Sequence, residues 1–408
     1  MPPLPSGSLS RRILHISTRL ILGGSQENTV LSCEGQAEAG HDVHLAFGPI
    51  YGPEGSLLDR VKAFRTFDGR RITTHELPHM VREIHPIKDH FCLHHDLKSL
   101  IREIKPDVVH THSSKAGVLG RWAAWKANPR PAIVHTIHGP PFMPGRGLAT
   151  KLKNTLYTIA ERFAAKRCHV IVSVADAMTE QFLARAIGRS DQFVTVRSGM
   201  ETDHFLHAAE GEDAASVRRE LGLWDDDFVI GTVARLAEHK GHDDLLDALA
   251  TELRSRPSWK LLWVGDGWWR ERLTERVGSL GLRDRVVMTG LVPQERVPAM
   301  MRAMDVLAHP SYREGLPRTV PQALLAGAAP VANDVDGTRE ICQHMETGLL
   351  VAPGDTDALR EAIVWLADNP RDREAMVERG REIVLNEYTA EAMVRHLEGV
   401  YDRALTSR

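Results

Sequence analysis

Short apolar segments alternate with longer helical patterns along the whole chain, and this alternation restricts the possible folds more than any other feature. The first half contains six predicted strands, at Ile13–Ser17, Val43–Phe47, Val108–His112, Ile133–His138, Val170–Val174 and Phe193–Val196. The second half contains six more, at Phe228–Val233, Lys260–Val264, Val286–Thr289, Val306–His309, Pro330–Ala332 and Leu349–Val351. Strands that alternate with helices of this length favour parallel, doubly wound α/β sheets.

With 408 residues, the chain is long enough for two domains that each bury a full hydrophobic core. A polar, acidic stretch at Glu210–Asp213 indicates a surface insertion near the linker. We therefore predict one domain over residues 1–205, a second over 206–388, and a helix over 389–408 that packs back on the first domain. Two open parallel sheets place their ligand at the carboxyl ends of the strands, in a crevice between the domains.

The composition is that of an ordinary soluble globular protein, with 42% hydrophobic and 26% charged residues. The four cysteines are scattered without CxxC spacing, which indicates a reducing compartment and no cysteine-based metal site. The start, Met1–Arg12, is expected to be a loose tail because it lacks the apolar core of a signal peptide. No run approaches the roughly 20 apolar residues of a membrane span. A cytoplasmic protein is the expectation.

The charge is unevenly distributed between the two halves. Residues 1–200 hold 26 Lys and Arg against 17 Asp and Glu, a net charge of +9, and the remainder holds 25 basic against 37 acidic residues, a net charge of −12. A basic first half indicates an anionic partner, such as an acidic membrane surface or a phosphate-bearing substrate, although a solvated basic surface would have the same composition. We find no nucleic-acid recognition motif and expect no nucleic-acid partner.

A stretch within the first half, Pro140–Val170, combines basic residues with apolar residues at helical spacing. Its six basic residues stand against a single acid, Glu161, and are Arg146, Lys151, Lys153, Arg162, Lys166 and Arg167. The apolar residues at this spacing are Leu148, Leu152, Ile159 and Phe163. The pattern is typical either of a helix that lies on an anionic membrane or of an amphipathic helix packed on its own domain. In the first case, the protein would be a peripheral protein at the inner face of the membrane.

The stretch from Asp305 to Asp334 has the pattern of a strand, a loop, a helix and a second strand. Pro317 stands where a proline is tolerated at a helix start, and Gly327 stands where a helix ends. Glu314 lies in the loop, and Gln322 lies early in the helix.

Glu314 has two interpretations at this stage. A carboxylate just before a helix often serves as its cap. Alternatively, the loop and the helix N-terminus form a site for an anion, in which the N–H groups of Arg318 and Thr319 face a phosphate. Glu314 and Gln322 would then contact the hydroxyls of the molecule that carries this phosphate.

Two cations, Arg235 and Lys240, follow the predicted strand that ends at Val233. Cations placed just before a helix oppose its dipole, so their position is better explained if a diphosphate lies between them. The alternative is a solvated pair with Glu238 nearby.

Two glycine-rich turns follow strands. Gly23-Gly24 lies between the first strand and a helix, where its backbone could approach a phosphate closely or form a plain tight turn. Gly265-Asp266-Gly267 is followed by Trp268, so neither turn has the GxGxxG pattern of dinucleotide-binding proteins.

Histidines are concentrated in the predicted strands of the first half. His138 ends an otherwise apolar strand and is followed by Gly139, so it lies where a ligand-facing residue is expected, although an isolated histidine there is more often structural. His110 and His112 are spaced for one face of a strand. Because no carboxylate or cysteine cluster accompanies them in the sequence, the pattern argues against a metal site.

Glu314, Gly315 and Gln322, together with Arg235 and Lys240, resemble the signature of family 4 glycosyltransferases of the GT-B type. The resemblance extends over nearly the whole chain, through Gly23-Gly24, His138-Gly139, Ser198-Gly199-Met200 and Gly265-Asp266-Gly267. It implies a GT-B fold, in which two doubly wound Rossmann-like domains face each other across a crevice and a C-terminal helix returns to the first domain.

The resemblance also implies a reaction, namely the retaining transfer of a sugar from a nucleotide diphosphate sugar to an acceptor hydroxyl. The donor would be a UDP- or GDP-sugar, and the processes served would be polysaccharide or glycolipid synthesis. Arg235 and Lys240 would neutralise the leaving diphosphate, Glu314 would hold hydroxyls of the donor sugar, and His138 would face the reacting centre. Because protein cations replace a metal, no metal or other cofactor is expected.

The implied binding residues form two further sets. The donor set comprises Gly23, Gly24, Gly265, Gly290, Leu291, Gly315, Leu316, Arg318, Thr319 and Gln322. The acceptor set, which rests on placement in the basic first half, comprises Arg82, Ser113 and Lys115. A sugar or a lipid-linked phosphate is the expected acceptor.

One departure from the family pattern concerns the nucleotide. Gln322 stands where the family usually has Glu, at the position expected to hold the ribose hydroxyls, and a neutral amide loses the charge-assisted hydrogen bond. Two rival functions are a nucleotide-sugar epimerase of the same architecture, which needs no acceptor, and a non-catalytic nucleotide-sugar binder.

Overall fold

The structure is a computed structural model that describes residues 10–50, 55–139, 142 and 147–408. It divides the chain into two compact units, of which the first runs to Met200 and includes Thr389–Arg408, and the second comprises Glu201–Tyr388. The division lies five residues before the predicted one at residue 205. Most of the predicted N-terminal tail, and Arg146 of the basic stretch, lie outside the described residues.

The first unit is a parallel sheet with helices on its faces. Its strands are β1 (Arg12–Ser17), β2 (Asp42–Phe47), β3 (Thr73–Glu76), β4 (Val108–His112), β5 (Ala132–Ile137), β6 (Val170–Ser173) and β7 (Phe193–Thr195), in the order β3-β2-β1-β4-β5-β6-β7. Its first seven helices are α1 (Gly24–Glu38), α2 (Leu58–Ala63), α3 (Pro86–Phe91), α4 (Lys98–Ile104), α5 (Ser114–Trp125), α6 (Leu148–Ala165) and α7 (Asp176–Leu183).

The second unit repeats this architecture with six strands. They are β8 (Phe228–Val233), β9 (Trp259–Val264), β10 (Val286–Gly290), β11 (Val306–His309), β12 (Ala329–Asn333) and β13 (Leu349–Val351), in the order β10-β9-β8-β11-β12-β13. Its helices are α8 (Asp203–Leu206), α9 (Ala214–Glu220), α10 (His242–Ser255), α11 (Arg270–Ser279), α12 (Val297–Arg302), α13 (Thr319–Ala326), α14 (Thr356–Asp368) and α15 (Pro370–Glu387).

Burial on both faces explains why the strands were visible as apolar runs. Every residue of β4, β5, β6, β11 and β12 is buried, as expected when helices cover both faces of a parallel sheet. The strand that the sequence analysis missed, β3, lies at the sheet edge and is composed of Thr73, Thr74, His75 and Glu76, none of which is buried. A π-helical turn, Cys92–Leu97, directly precedes α4, which begins at Lys98.

Each sheet reverses its strand order at one place, and this determines where side chains from distant segments meet. In the first unit the reversal lies between β1 and β4, and in the second between β8 and β11. Connections leave these two neighbouring strands in opposite directions, so a crevice opens at their carboxyl ends, and ligands of doubly wound sheets bind there.

The C-terminal helix, α16 (Ala390–Thr406), packs on the first unit. Thr389 caps it by accepting the backbone N–H of Ala392 at 3.1 Å. Its buried residues Leu397 and Tyr401 join a hydrophobic cluster with residues of β1, β4, β5 and β6. A Cβ at Gly199 would lie 2.8 Å from Cα of Ala390, so only glycine lets the chain pass this close to the start of α16.

The remaining features concern the cysteines and the membrane. Cys33, Cys92, Cys168 and Cys342 are all buried free thiols. Within the described ranges, no helix combines the length and the apolarity that crossing a bilayer would require.

Candidate functional site

The reversal point of the second sheet brings together two of the charged residues selected from the sequence, Lys240 and Glu314. Arg235 and Lys240 follow β8, with Lys240 closing a short 3₁₀ turn that begins at Glu238, and Glu314 follows β11. Nζ of Lys240 lies 2.6 Å from Oε1 of Glu314. Both side chains are largely buried, at 19% and 15% exposure, so this pair is much less screened by water than a surface pair would be.

The surroundings of Glu314 keep its side chain ionised. Burial raises the pKa of this carboxyl, but the neighbouring His309, whose Nε2 lies 3.2 Å from Oε1, and Lys240 outweigh burial and lower it well below the usual range. The backbone N–H of Glu314 donates to Oδ2 of Asp336 at 2.8 Å. Glu314 is therefore a fixed carboxylate that can only accept hydrogen bonds.

The interpretation of Glu314 as a helix cap is wrong. Helix α13 begins at Thr319, and Arg318 precedes it without any side-chain cap hydrogen bond. Pro317 lies two residues before the first helical residue, so it is not the first residue of the helix as predicted. Gly327 does end the helix, in a left-handed conformation with φ of 102°.

Arg235 extends its guanidinium over an aromatic ring on the next loop. Its Cζ lies 5.6 Å from the ring centroid of Trp268, and no hydrogen bond or ion pair involves its side chain within the residues that the structure describes. Burial lowers the pKa of His239, and Lys240, Arg313 and Arg235 lower it further, with Glu314 opposing them. Positive charge is thus concentrated at this strand end, although the second half of the chain is acidic overall.

The glycine-rich turn after β9 packs against the loop after β8. Gly265 has φ of 132°, and a Cβ there would lie 2.2 Å from the carbonyl oxygen of Ala234. The backbone N–H of Leu236 donates to the carbonyl of Asp266 at 3.1 Å. The sequence Gly265-Asp266-Gly267 therefore serves loop packing, and it helps to place Arg235.

A pocket of about 250 Å³ lies beside this packed loop pair. Its lining includes Val233, Arg235, Gly265, Asp266, Leu291 and Val297. Gly290 precedes it in a left-handed conformation, with φ of 73°, and Leu291 is 82% exposed. An apolar wall beside a guanidinium suits a flat ring attached to an anionic group.

The other predicted donor residues of the second unit lie along the start of α13. Leu316 is buried, and Oγ1 of Thr319 lies 3.3 Å from Nδ1 of His309. The carbonyl of Gly315 accepts the backbone N–H of Gly337 at 3.1 Å. Gln322 is half-buried, one turn into the helix.

The predicted donor set is divided between the two units. Gly23 and Gly24 belong to the first unit, where Gly23 precedes α1 and Gly24 is the first helical residue. Backbone φ of Gly23 is 172°, an extended conformation open to any residue, so the structure offers no backbone reason for glycine there.

The first unit has its own pocket, of about 410 Å³, at the carboxyl end of its sheet. Its lining includes Ser25, Ser113, Thr136, His138, Gly139 and Glu161. His138 directly follows β5, which ends one residue earlier than predicted, at Ile137. Of this lining, Glu161 is bonded to Arg121, with Oε2 2.7 Å from Nη2, and both side chains are buried.

Of the three predicted acceptor residues, the described lining of this pocket contains Ser113. Its φ is 62° and its ψ is 160°, a strained combination for a residue with a side chain, and its Oγ lies 2.7 Å from Oγ1 of Thr18. Lys115 instead pairs with Asp89, with Nζ 2.5 Å from Oδ1, so it ties α5 to α3. Arg82 is exposed in the connection between β3 and α3.

Hydrogen bonds lead from His138 into the interior of the first unit. Nε2 of His138 lies 3.1 Å from Nδ1 of His112, and Nε2 of His112 lies 2.9 Å from Nδ1 of His15. Nε2 of His15 then lies 2.7 Å from Oε1 of Gln36, on α1.

The same network continues to the C-terminal helix. The amide nitrogen of Gln36 donates to Oη of Tyr401 at 2.8 Å. Oη of Tyr401 lies 2.8 Å from Nδ1 of His110, and Nε2 of His110 lies 2.7 Å from Oγ1 of Thr136. All four side chains are buried.

The structure adds His15 to the two histidines that the sequence analysis considered as metal ligands. One ring nitrogen from each of His15, His110 and His112 lies within 4.8 Å of the other two. Both ring nitrogens of each are already hydrogen-bonded to protein groups, and in the described parts of the chain no carboxylate or thiol joins the group. We therefore assign these histidines to a hydrogen-bond network.

Burial keeps the inner histidines neutral. It lowers the pKa of His15 to about 4, although the hydrogen bond to Gln36 opposes the shift. It also lowers the pKa of His110 and of His112 well below the usual value, and neighbouring histidines disfavour a further positive charge.

Three residues that contact the candidate site residues were not selected from the sequence. His309 had a detectable signal, because it ends an apolar strand just as His138 follows one. Asp336 has a positive φ of 45° and begins a short 3₁₀ helix, Asp336–Glu340, for which the sequence offers no regular apolar pattern. Tyr401 looked like an ordinary core residue of an amphipathic helix, and only its partners in the fold distinguish it.

Comparison with known proteins assigns the chain to a family. Residues 22–204 match the family model named Glycosyltransferase Family 4, and residues 213–383 match the one named Glycosyl transferases group 1. A 2-deoxystreptamine N-acetyl-D-glucosaminyltransferase from Streptomyces fradiae is 31% identical over 314 residues, which cover 73% of this chain and 72% of that protein. A UDP-Gal:alpha-D-GlcNAc-diphosphoundecaprenol alpha-1,3-galactosyltransferase from Escherichia coli is 27% identical over 364 residues, which cover 88% of each chain. The chain spans less than two thirds of the length of two further relatives, both from Streptomyces kanamyceticus. It covers 66% of a 2-deoxystreptamine glucosyltransferase and 62% of an alpha-D-kanosaminyltransferase.

A solved structure has the same fold. Anabaena Alr3699/HepE, in complex with UDP-glucose, superposes with a TM-score of 0.76 at 20% identity, covering 96% of this chain and 99% of that one. At this identity the likeness concerns the fold, which is GT-B with two Rossmann-like α/β units. From the two matched models and the Streptomyces fradiae relative, we conclude that the chain belongs to the family 4 glycosyltransferases, a family of enzymes with the GT-B fold.

Proposed function

We propose that this protein transfers a sugar from a nucleoside diphosphate sugar to an acceptor hydroxyl, with retention of the anomeric configuration. The observation that carries the proposal is the ion pair of Lys240 with Glu314 at the reversal point of the second sheet, with Arg235 in the same loop after β8. The names of the Escherichia coli relative and of the Anabaena complex support a nucleotide-sugar donor. Retention is inferred from the family resemblance.

The leaving group explains the two cations. Breaking the bond between the sugar and the diphosphate adds negative charge to the departing phosphate, and fixed cations stabilise charge that develops in the transition state. The guanidinium of Arg235 and the ammonium of Lys240 would supply that charge, so we expect activity without a divalent metal. Full loss of activity on chelation, restored by Mg²⁺, would contradict this expectation.

Glu314 and His138 would serve the sugar. The carboxylate of Glu314 can only accept hydrogen bonds, which matches the hydroxyls of a sugar ring. His138, at the pocket of the first unit, would lie at the reacting centre, with Ser113 toward the acceptor.

A panel of UDP-, GDP- and ADP-sugars in a thermal-shift assay would test the donor, because a ligand that binds only the folded state raises its stability. The stabilising sugar would then be incubated with candidate acceptors, and the anomeric configuration of the product determined by NMR. Release of an altered sugar without any acceptor would indicate an epimerase. Binding without turnover, with any acceptor or with water, would indicate a non-catalytic binder.

We further propose that helix α6 docks on an anionic bilayer, at which a lipid-linked acceptor would be met. Leu148, Leu152, Leu156 and Ile159 recur along one stripe of α6, and each is more than half exposed. Another face of α6 does pack on its own domain, as the alternative predicted, because Phe163 packs on Trp122 with ring centroids 5.2 Å apart and Ala164 and Ala165 are buried.

The charges of α6 complement an anionic surface. Glu161, the acid of this helix, is buried and bonded to Arg121, so the exposed part of α6 carries basic residues such as Lys151 and Lys153. Exposed leucines flanked by lysines are typical of helices that lie in the headgroup layer of a membrane. The name of the Escherichia coli relative, which specifies a diphosphoundecaprenol-linked sugar, supports a lipid-linked acceptor.

Vesicle sedimentation tests this docking. Phosphatidylcholine vesicles that contain phosphatidylglycerol should bind the protein at low salt, and binding should weaken at high salt. The Leu152→Gln/Leu156→Gln double variant should lose binding, whereas Phe67→Gln, at another exposed apolar residue of the same unit, should retain it. Equal binding by both variants, or none by the wild type, would overturn the proposal.

A further inference from the structure

The hydrogen-bond network of the first unit connects His138, at the pocket, to Tyr401 on the C-terminal helix. The path runs through His112, His15 and Gln36 with successive distances between 2.7 and 3.1 Å. Among the described residues that line the pocket, His138 is the one that belongs to this path. The other residues of the path could therefore influence the reaction only through His138.

With Oε1 of Gln36 facing His15, proton counting determines the direction of each hydrogen bond. Oε1 of Gln36 can only accept, so Nε2 of His15 must carry a hydrogen. A neutral imidazole has one donor and one acceptor, so Nδ1 of His15 accepts from Nε2 of His112.

The same rule carries the direction to the pocket. Because Nε2 of His112 donates, its Nδ1 must accept, and the partner of Nδ1 is Nε2 of His138. His138 therefore carries its hydrogen on Nε2, and in the neutral ring Nδ1 keeps the lone pair. Any group that hydrogen-bonds to Nδ1 must be a donor.

The far end of the network accommodates this orientation of the Gln36 amide. Its NH₂ group donates to Oη of Tyr401, whose own hydrogen then points to Nδ1 of His110. His110 can donate in turn, from Nε2 to Oγ1 of Thr136. If the amide of Gln36 were rotated, every bond would reverse, and His138 would carry its hydrogen on Nδ1 instead.

We propose that Gln36 is a positioning residue whose amide, with Oε1 toward His15 and its NH₂ group on Tyr401, sets the tautomer of His138 through His15 and His112, so that Nδ1 of His138 is a hydrogen-bond acceptor. The consequence for kinetics rests on the proposed sugar transfer, whereas the tautomer itself does not. Such second-layer hydrogen bonds orient imidazole rings in many active sites.

NMR of protein labelled with ¹⁵N-histidine measures the tautomer directly, and the His138→Gln variant identifies the His138 signals. In the wild type at neutral pH, we expect Nε2 of His138 to be protonated and Nδ1 not. Gln36→Met removes the acceptor of Nε2 of His15, and Tyr401→Phe removes the partner of the Gln36 NH₂ group, so that the amide can rotate. Both tautomers should therefore be populated in each variant. Tyr388→Phe is the matched control, because Tyr388 is also fully buried and donates to the carbonyl of Glu340, outside the network.

Steady-state kinetics should change together with the tautomer. Tyr401→Phe should lower kcat by about tenfold while KM changes by less than about twofold, since a positioning residue acts on the reacting group and not on ground-state binding. If Gln36→Met does not fold, Tyr401→Phe carries the test.

Three outcomes would overturn the inference: a wild-type hydrogen on Nδ1, an unchanged tautomer in the folded network variants, or an equal change in Tyr388→Phe. The expected tautomers in a protein that transfers no sugar would refute the proposed function and leave the tautomer assignment intact.

Discussion

Nζ of Lys240 and Oε1 of Glu314 lie 2.6 Å apart, although 74 residues separate them in the chain. They meet because β8 and β11 are neighbours at the reversal point of their sheet, and each residue follows the carboxyl end of its strand. A pair assembled in this way, and largely buried, is the strongest candidate for the catalytic cluster of the second unit.

Replacing Glu314 with Gln removes the charge of this pair and preserves its shape. We expect kcat to fall by about 100-fold or more, because a preorganised charged group at the reacting sugar is lost. Steady-state kinetics with the preferred donor measure the effect. The control is Asp305→Asn, which weakens the 2.9 Å ion pair with Arg218 in the same unit and should lower Tm while kcat is retained. Wild-type kcat in Glu314→Gln would remove this residue from the mechanism.

Replacing Arg235 with Ala should separate catalysis from stability. The side chain is exposed, so the free energy of unfolding should change by no more than about 0.5 kcal/mol. Loss of a charge-assisted hydrogen bond to the diphosphate should lower kcat/KM for the donor by about 10- to 100-fold. Arg254→Ala, at an exposed arginine of α10, should alter neither quantity. If both variants have the same kcat/KM, Arg235 does not contact the diphosphate.

Replacing Gln322 with Glu restores the residue type usual in the family. If this side chain holds the ribose hydroxyls, the carboxylate should strengthen nucleotide binding by about fivefold, because charge-assisted hydrogen bonds are the stronger ones. Isothermal titration with the preferred nucleotide measures this change. Gln343→Glu, also half-buried in the second unit, serves as control. Unchanged affinity in Gln322→Glu would argue against a ribose contact.

Ser113 allows a test of backbone strain at the first pocket. Ser113→Ala and Ser113→Gly both remove the hydroxyl that bonds to Thr18, but only glycine relieves the strain at φ of 62°. The glycine variant should therefore be more stable than the alanine variant by about 1–3 kcal/mol. Urea denaturation of both variants measures the difference, and equal stabilities would show that the conformation is unstrained.

Stability should decrease as the pH falls from about 6.5 towards about 4. Burial lowers the pKa of His15 and of His242 to about 4, whereas the unfolded chain binds these protons near 6.5. The unfolded state thus binds more protons in this window, so the contribution is complete above it and is lost on acidification, at up to about 3 kcal/mol for each group. Urea denaturation across this pH range measures the loss.

The His242→Phe variant isolates one of these groups. Neither ring nitrogen of His242 has a hydrogen-bond partner in the described part of the chain, and its ring packs edge-on against Trp263 at 5.0 Å. Phenylalanine can keep the packing without the titration, so the pH dependence should become shallower. An unchanged slope would show that His242 does not titrate in the folded protein as described.

Much of the fold was predictable because strands that are buried on both faces appear in the sequence as runs of apolar residues. Four of the predicted strands, those starting at Val108, Phe228, Val306 and Leu349, have the observed bounds. The polar edge strand β3 was missed, since an exposed edge imposes no apolar pattern. The prediction that Lys115 binds the acceptor rested on its place in the basic first half and on no local pattern. In the structure, the ammonium of Lys115 pairs with Asp89.

By itself, the sequence determined the alternation of strands and helices, the two-part organisation, and the presence of Arg235, Lys240 and Glu314 in loops after strands. These follow from local periodicity and from residue type. Only the tertiary structure decided that Lys240 contacts Glu314 and that a series of hydrogen bonds connects Tyr401 to His138. Such meetings depend on which strands become neighbours and where a terminal helix docks, and neither is encoded in the spacing of residues along the chain.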